Sequence, residues 1–224
     1  MDTEQKTPDH IPNDVIEAIL NHIPFDGWSI ASLDMAAADC GLSEVEMHSL
    51  FPLGVVDAIA AYGAYADQNM ITAFHGQDAA DIAVMPVHMK IRSLILIRLE
   101  QAAPHKEVVR RTLAVLAQPQ HAKLATKLLY QTVDEMWRAA GDNSTDYNFY
   151  TKRATLSAVY SATLLAFLSD NSANLAKTEA FLDRRLADVA KLPKMAGSAR
   201  ALANMAVRFA GRFAGPIMHG RRAR

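Results

Sequence analysis

The side chains able to run a reaction are few, and none falls into a catalytic spacing. Eight histidines are scattered through the 224 residues. No glutamate has a histidine three positions later, the Glu-x-x-His pairing that an inward-facing di-iron site on a helix bundle requires. No His-Glu-x-x-His zinc motif and no glycine-rich phosphate loop occurs. Cys40 is the single cysteine, so it has no second thiol for a disulfide or a zinc-thiolate cluster, and in Ala38-Asp39-Cys40-Gly41 it reads as a small core residue. His105 beside Pro104 and His121 near Pro119 read as helix-start or surface positions. The spacing predicts no catalytic residue, no metal and no cofactor, which leaves binding.

Three stretches carry binding chemistry. Leu156, Tyr160, Thr163, Leu164 and Phe167 make one helical apolar stripe, and Leu124, Leu128, Leu129, Val133 and Met136 make another. Two such helices could wall an apolar cavity, although periodicity alone reads a filled core equally. Tyr147, Phe149 and Tyr150 concentrate beside Asn148, Lys152 and Arg153, the residue types of interface hot spots and also of a helix start anchored in the core. Leu202, Met205, Ala206, Phe209 and Phe213 then repeat at helical spacing, flanked by Arg208 and Arg212. After Asp188 there is no acidic residue, and eight basic ones follow. An apolar stripe with only positive flanks suits an anionic membrane surface, where arginine stems can snorkel; docking on the protein itself or on a second subunit is the other reading.

The net charge of −1 conceals a strong asymmetry. From Met1 to Met89 there are fourteen acidic residues and one lysine; from Lys90 to Arg224 there are twenty-two basic and ten acidic residues. Such segregation points to a polar surface partner or to complementary packing of the two halves. The N-terminus is acidic and resembles neither a signal nor a transit peptide. Ala154 to Ser169 is the longest relevant uncharged run; at about 1.5 Å per residue it falls short of the ~30 Å bilayer core and reads as a buried helix.

The elements that must position these residues are helical throughout. Half of the residues are hydrophobic, and alanine, leucine and methionine outnumber β-branched and aromatic types. Asn13 is expected to cap a first helix carrying Val15, Ile16, Ile19, Leu20 and Ile23, stopped by Pro24. Ser29 caps a second through Ile30, Leu33, Met35 and Ala37, and after Gly41, Ser43 caps a short third with Val45, Met47 and Leu50. That order is a helix-turn-helix. A long helix over 55–74 follows, then helices over 87–102, 104–117, 121–140, 147–169 and 175–191, and a last one over 198–213. The third helix holds Glu44 and Glu46 and no cation, and no lysine or arginine occurs from Thr7 through Met89. Phosphate contacts dominate DNA affinity, so this scaffold is expected to bind no nucleic acid.

Longer words in the sequence resemble a known family. Pro24-Phe25-Asp26-Gly27-Trp28-Ser29, Arg98-Leu99-Glu100-Gln101-Ala102-Ala103-Pro104-His105-Lys106, Trp137-Arg138-Ala139-Ala140-Gly141-Asp142, Thr151-Lys152-Arg153-Ala154-Thr155-Leu156 and Ala180-Phe181-Leu182-Asp183-Arg184-Arg185 are similar to the Coq-nine family of ubiquinone biosynthesis, from about Val15 through Leu192. The resemblance implies an all-α, TetR-like fold with a degenerate helix-turn-helix and a C-terminal amphipathic helix. It divides the chain into a polar leader (1–12), the helix-turn-helix with its connecting helix (13–74), a lipid-binding and dimerisation core (87–191), and a linker with a basic membrane helix (192–224).

The function it implies is non-catalytic: a homodimer that binds an isoprenoid quinone precursor or other lipid and presents it to the di-iron demethoxyubiquinone hydroxylase. Leu128, Val133, Leu156, Tyr160, Leu164 and Phe167 would meet the lipid. Met136, Trp137, Asn148, Phe149, Tyr150 and Arg153 would meet the hydroxylase, with Phe149 standing where many members carry tryptophan. Leu202, Met205, Phe209, Phe213, Arg208 and Arg212 would meet the membrane. The expected setting is the inner face of a bacterial inner membrane, or the matrix side of the mitochondrial inner membrane for a processed protein. The alternative from another class is a TetR-like regulator sensing a hydrophobic effector.

Overall fold

The structure, a computed structural model, describes residues 11–142 and 147–191, with the side chains of Tyr147 and Asn148 outside that set. Among the described residues there is no strand. The final helix expected over 198–213, with Leu202, Met205, Arg208, Phe209, Arg212 and Phe213, lies outside the described residues.

The helix-turn-helix is written in capping chemistry. Helix α2 (Ile30–Asp39) starts at Ser29, whose hydroxyl accepts from the Ser32 amide while the Ser32 hydroxyl accepts from the Ser29 amide. Helix α3 (Glu44–Leu50) repeats the device with Ser43 and Glu46. Each box satisfies two otherwise orphaned amides and fixes where its helix begins. Helix α1 (Asn13–Asp26) departs from expectation at both ends. Asn13 is its first helical residue rather than its cap, and Pro12 precedes it. Pro24 does not stop it: the helix runs on to Asp26 with the proline inside it, forgoing the one amide bond the ring cannot make. The helix ends instead at Gly27, whose φ of 68° is left-handed and whose amide donates to the Ile23 carbonyl at 3.0 Å.

A long α4 (Val55–His75) leads out of this unit. The short α5 (Ala79–Val84), capped by Asp78 accepting from the Ala80 amide at 2.8 Å, is an element that no periodicity announced. Then come α6 (Val87–Ala102), α7 (Lys106–Leu116), α8 (Ala122–Ala139), α9 (Tyr147–Ser169) and α10 (Ala176–Lys191). Pro104 and Pro119 sit in single 3-10 turns that join α6 to α7 and α7 to α8. The α9–α10 turn is tied by Asp170, which accepts from the amides of Ser172 and Thr178 and from both their hydroxyls at 2.6–2.8 Å.

Two cores result. Val15, Ile16, Ile19 and Ile23 of α1 pack with Leu33, Met47, Phe51 and Ala58, and Val108 of α7 joins them. Met70, Phe74, Leu94, Ile95 and Leu99 pack with Val133, Met136, Leu156, Phe167 and Leu182, and Val109 of α7 joins those. Consecutive residues of α7 therefore face different cores, making it the helix that the two cores share. The Pro24–Ser29 word earns its specificity here: Arg111 of α7 donates to the Pro24 carbonyl at 2.9 Å and the Trp28 indole donates to Thr112 at 2.9 Å. The charge segregation is barely used in packing. Among ion pairs between described residues, Arg98–Asp67 alone joins the acidic first 89 residues to the basic remainder.

Candidate functional site

A cavity of about 710 Å³ opens between α1, α4, α6, α7, α8 and α9. Its walls are mostly aliphatic: Leu20 from α1, Ile59 from α4, Leu99 from α6, Val109, Leu113 and Leu116 from α7, Leu128 and Leu129 from α8, and Leu164 and Leu165 from α9. Apolar walls with a few convergent polar groups are the usual form of a small-molecule site. The size also falls inside the usual range of roughly 300–1,000 Å³.

Polar residues also line the cavity, among them Glu17, Asn21, His105, Thr112 and Ser161, and one connected group surrounds Arg98. Its Nη2 lies 3.1 Å from Asp67 Oδ1 and 3.5 Å from the Gly63 carbonyl, and Asp67 Oδ2 accepts from Thr132 at 3.0 Å. Burial pushes the Asp67 carboxyl up, and the guanidinium and the Thr132 hydroxyl pull it partly back. Tyr160 and Tyr62 line the same region, and burial raises both phenols, so they stay protonated donors. A shallower hollow of about 590 Å³ beside Pro12, Cys40 and Glu46 offers no such convergence. The Cys40 thiol is raised by burial and by the carboxylates of Asp14 and Asp39, which removes thiolate character.

The two apolar stripes divide between cavity and core. Leu128, Tyr160 and Leu164 lie on the cavity wall. Val133, Leu156 and Phe167 do not; they are buried at 0%, 4% and 0% exposure in the second core. The cause is helix rotation. On α8 the cavity takes Ala125, Leu128, Leu129 and Thr132, and on α9 it takes Tyr160, Ser161, Leu164 and Leu165. The core takes the neighbouring stripe on each helix. The walls from α1, α4, α6 and α7 were not anticipated. The signal that could have found them is a lone charge within an apolar helical stretch, as at Asp67 and Arg98.

The aromatic stretch is brought together at the end of α8 and the start of α9. Arg153 is only 3% exposed; its Nε donates to Asp134 Oδ1 at 2.6 Å, and its guanidinium lies 3.4 Å from the centre of the Phe149 ring. Asp134 is shared with Arg138 at 2.7 Å. Tyr150 meets Phe149 edge-on at 5.1 Å and is 70% exposed. The Lys152 ammonium sits 5.5 Å over the Trp137 ring, whose buried Nε1 has no partner among the described residues. Met136 points into the core at 0% exposure, and the Asn148 side chain is outside the described set. Of the five residues expected at a partner surface whose side chains are described, Tyr150 is the most accessible, and Met136 and Arg153 are internal.

No single described helix is long and apolar enough to cross a membrane; α3 and α4 reach that composition only together, across a 63° bend. Among the described residues no group of three or more His, Cys, Asp or Glu is placed to hold a metal ion.

A helix-turn-helix, a long connecting helix and a helical second half around a cavity make a TetR-like all-α fold. A solved TetR transcriptional regulator from Nitrosomonas europaea ATCC 19718 matches with a TM-score of 0.65 and 22% identity, covering 80% of this chain and 98% of that one. Residues 122–193 match the family model described as COQ9. The chain is similar to the mitochondrial ubiquinone biosynthesis protein COQ9 of Drosophila melanogaster, 29% identical over 203 residues, covering 87% of this chain and 60% of the relative. It is likewise similar to the same-named protein of Homo sapiens, 26% identical over 189 residues, covering 83% of this chain and 59% of the relative. The chain thus spans about 60% of the length of these curated relatives. The resemblance to the COQ9 family extends over most of the chain.

Proposed function

We propose that this chain serves ubiquinone biosynthesis as an accessory protein that catalyses nothing itself. It binds a prenylated quinone precursor in the α4–α9 cavity and presents the head group to the di-iron demethoxyubiquinone hydroxylase. The observation that carries the reading is the cavity of about 710 Å³ whose walls are largely leucine and other aliphatic side chains, in a chain similar to COQ9 relatives named for ubiquinone biosynthesis. An isoprenoid tail needs a large apolar enclosure, and its burial supplies most of the affinity.

The remaining parts take their places around this cavity. The Trp137, Phe149 and Tyr150 cluster supports the hydroxylase-facing surface, with Tyr150 as its exposed anchor. The basic segment after Asp188, with Arg208 and Arg212 beside Leu202, Met205, Phe209 and Phe213, supports contact with an anionic membrane, and the working unit is a homodimer. The relatives' names include "mitochondrial", which favours the matrix side of the inner membrane over the bacterial setting. A TetR-like regulator sensing a hydrophobic effector is the second reading, favoured by the likeness to a TetR regulator. Against it stands α3, where DNA phosphates would meet Glu44 and Glu46 with no lysine or arginine anywhere in residues 11–89.

Native mass spectrometry of the purified full chain, with lipid identification, tests the reading. The expected spectrum is a dimer carrying an isoprenoid quinone precursor. A chain that carries no lipid, and retains no added precursor above a Leu128→Trp variant with its cavity filled, overturns it.

A further inference from the structure

The cavity wall around Arg98 carries a buried polar group, and a site for hydrocarbon alone would have no use for it. Arg98 enters from α6, and its Nη2 meets Asp67 Oδ1 at 3.1 Å and the Gly63 carbonyl at 3.5 Å. Its Nη1 is buried with no hydrogen-bond partner among the described residues. Tyr160 of α9 stands against the same guanidinium, and Tyr62 of α4 lines the cavity beside it. A buried ion pair is commonly no more stable than well-packed apolar residues of the same volume, so the pair is weak as a stability device. Asp67 neutralises Arg98, which leaves donors without a net charge.

We propose that Arg98, Tyr160 and Tyr62 form a head-group subsite that selects neutral amphiphiles bearing a hydrogen-bond-accepting carbonyl oxygen over carboxylates and bare hydrocarbons. The inference rests on the lipid-cavity reading and adds a polarity and a direction to it. The carbonyl accepts from the Tyr160 hydroxyl, which the guanidinium behind it polarises into a better donor. Tyr62 supplies a second hydroxyl on the same wall. The apolar remainder runs toward Leu113, Leu128 and Leu164. A carboxylate would bring an uncompensated charge into a region already balanced by Asp67, and that costs desolvation without a second lysine or arginine among the described wall residues to offset it.

Displacement of the neutral fluorescent probe N-phenyl-1-naphthylamine from the full chain tests this, with three competitors of closely similar tail length. Decylubiquinone is expected to displace the probe at a concentration at least about tenfold below that of decylbenzene or decanoate, as a site built to hydrogen-bond discriminates. Tyr160→Phe is expected to weaken decylubiquinone about fivefold to tenfold, the loss of one hydrogen bond, and to leave decylbenzene unchanged. Tyr62→Phe provides the same readout from another helix should Tyr160→Phe fail to fold. If the variants weaken decylubiquinone and decylbenzene alike, or neither, the subsite is overturned and the lipid cavity stands. If decanoate competes best, the neutral-head selection is overturned. If the wild-type chain takes up neither probe nor competitor, the cavity reading falls and the subsite with it.

Discussion

Arg153 donates to Asp134 at 2.6 Å beneath the ring of Phe149. The one arginine in the α9 aromatic stretch therefore holds α8 to α9 and is 3% exposed. It fixes Phe149 and, through it, the exposed Tyr150, the anchor of the proposed hydroxylase-facing surface.

That arrangement separates folding from partner binding. Arg153→Ala leaves the buried Asp134 facing Arg138 alone, and is expected to cost about 3 kcal/mol of stability, read as a lower denaturation midpoint. Tyr150→Ala, at a 70% exposed site, should change stability by less than about 0.5 kcal/mol. The same variant should weaken binding to the hydroxylase by about tenfold or more in a surface-plasmon titration. Equal effects of both variants on stability would contradict the division.

The cavity and the core should respond oppositely to a change of volume. Leu164→Trp fills open space at the cavity wall and is expected to abolish lipid retention with little loss of stability. Phe167→Ala empties a fully buried position in the packed core and should cost about 3–5 kcal/mol. Lipid content by mass spectrometry and thermal unfolding, measured on both proteins, distinguish the two sites.

Gly27 carries a conformational demand. Its φ is +68°, and a Cβ there would lie 3.2 Å from Arg111 Nη1, the guanidinium that also holds the Pro24 carbonyl. Gly27→Ala is expected to destabilise the chain by about 1 kcal/mol or more, whereas the same change at an exposed helical site would stabilise. A chemical denaturation series decides it.

Acid should unpick the α9–α10 turn. Burial alone would raise the Asp170 carboxyl, but four hydrogen bonds from Ser172 and Thr178 override it and hold the group far below the usual carboxylate range. A carboxyl depressed in the folded state gives stability that is fully present above its unfolded pKa and is lost as pH falls through the folded one. Stability measured from neutral pH downward should therefore drop across and below the ordinary carboxylate range. Asp170→Asn should be less stable at neutral pH and flatter over that interval. Parallel curves for the two proteins would refute the assignment.

Membrane contact should depend on the basic end of the chain. A chain ending at Lys191 is expected to lose sedimentation with anionic vesicles while keeping its lipid cavity. The intact chain should bind such vesicles less as salt rises, since the surface potential falls off within about one Debye length.

Much of the fold is determined by the sequence alone, because its causes are local. The reciprocal Ser29–Ser32 and Ser43–Glu46 boxes place two helix starts, and apolar residues at 3.6 spacing place the long helices within a residue or two. Pro24 misleads because one missing amide bond can be absorbed within a helix without ending it, and Gly27, three residues later, is what ends α1. The family words carry the resemblance without any coordinates.

Which residues face empty space was decided only by the tertiary structure. Leu128 and Val133 belong to one sequence stripe on α8, yet a rotation of that helix puts the first on the cavity and the second in the core. Periodicity gives the apolar face of a helix but not the neighbour that face meets. Arg98 and Asp67 come from different helices, and their pairing at 3.1 Å exists only once α4 and α6 pack together. A long-range contact has no local signature, so the polar group on the cavity wall is a property of the packing rather than of any segment.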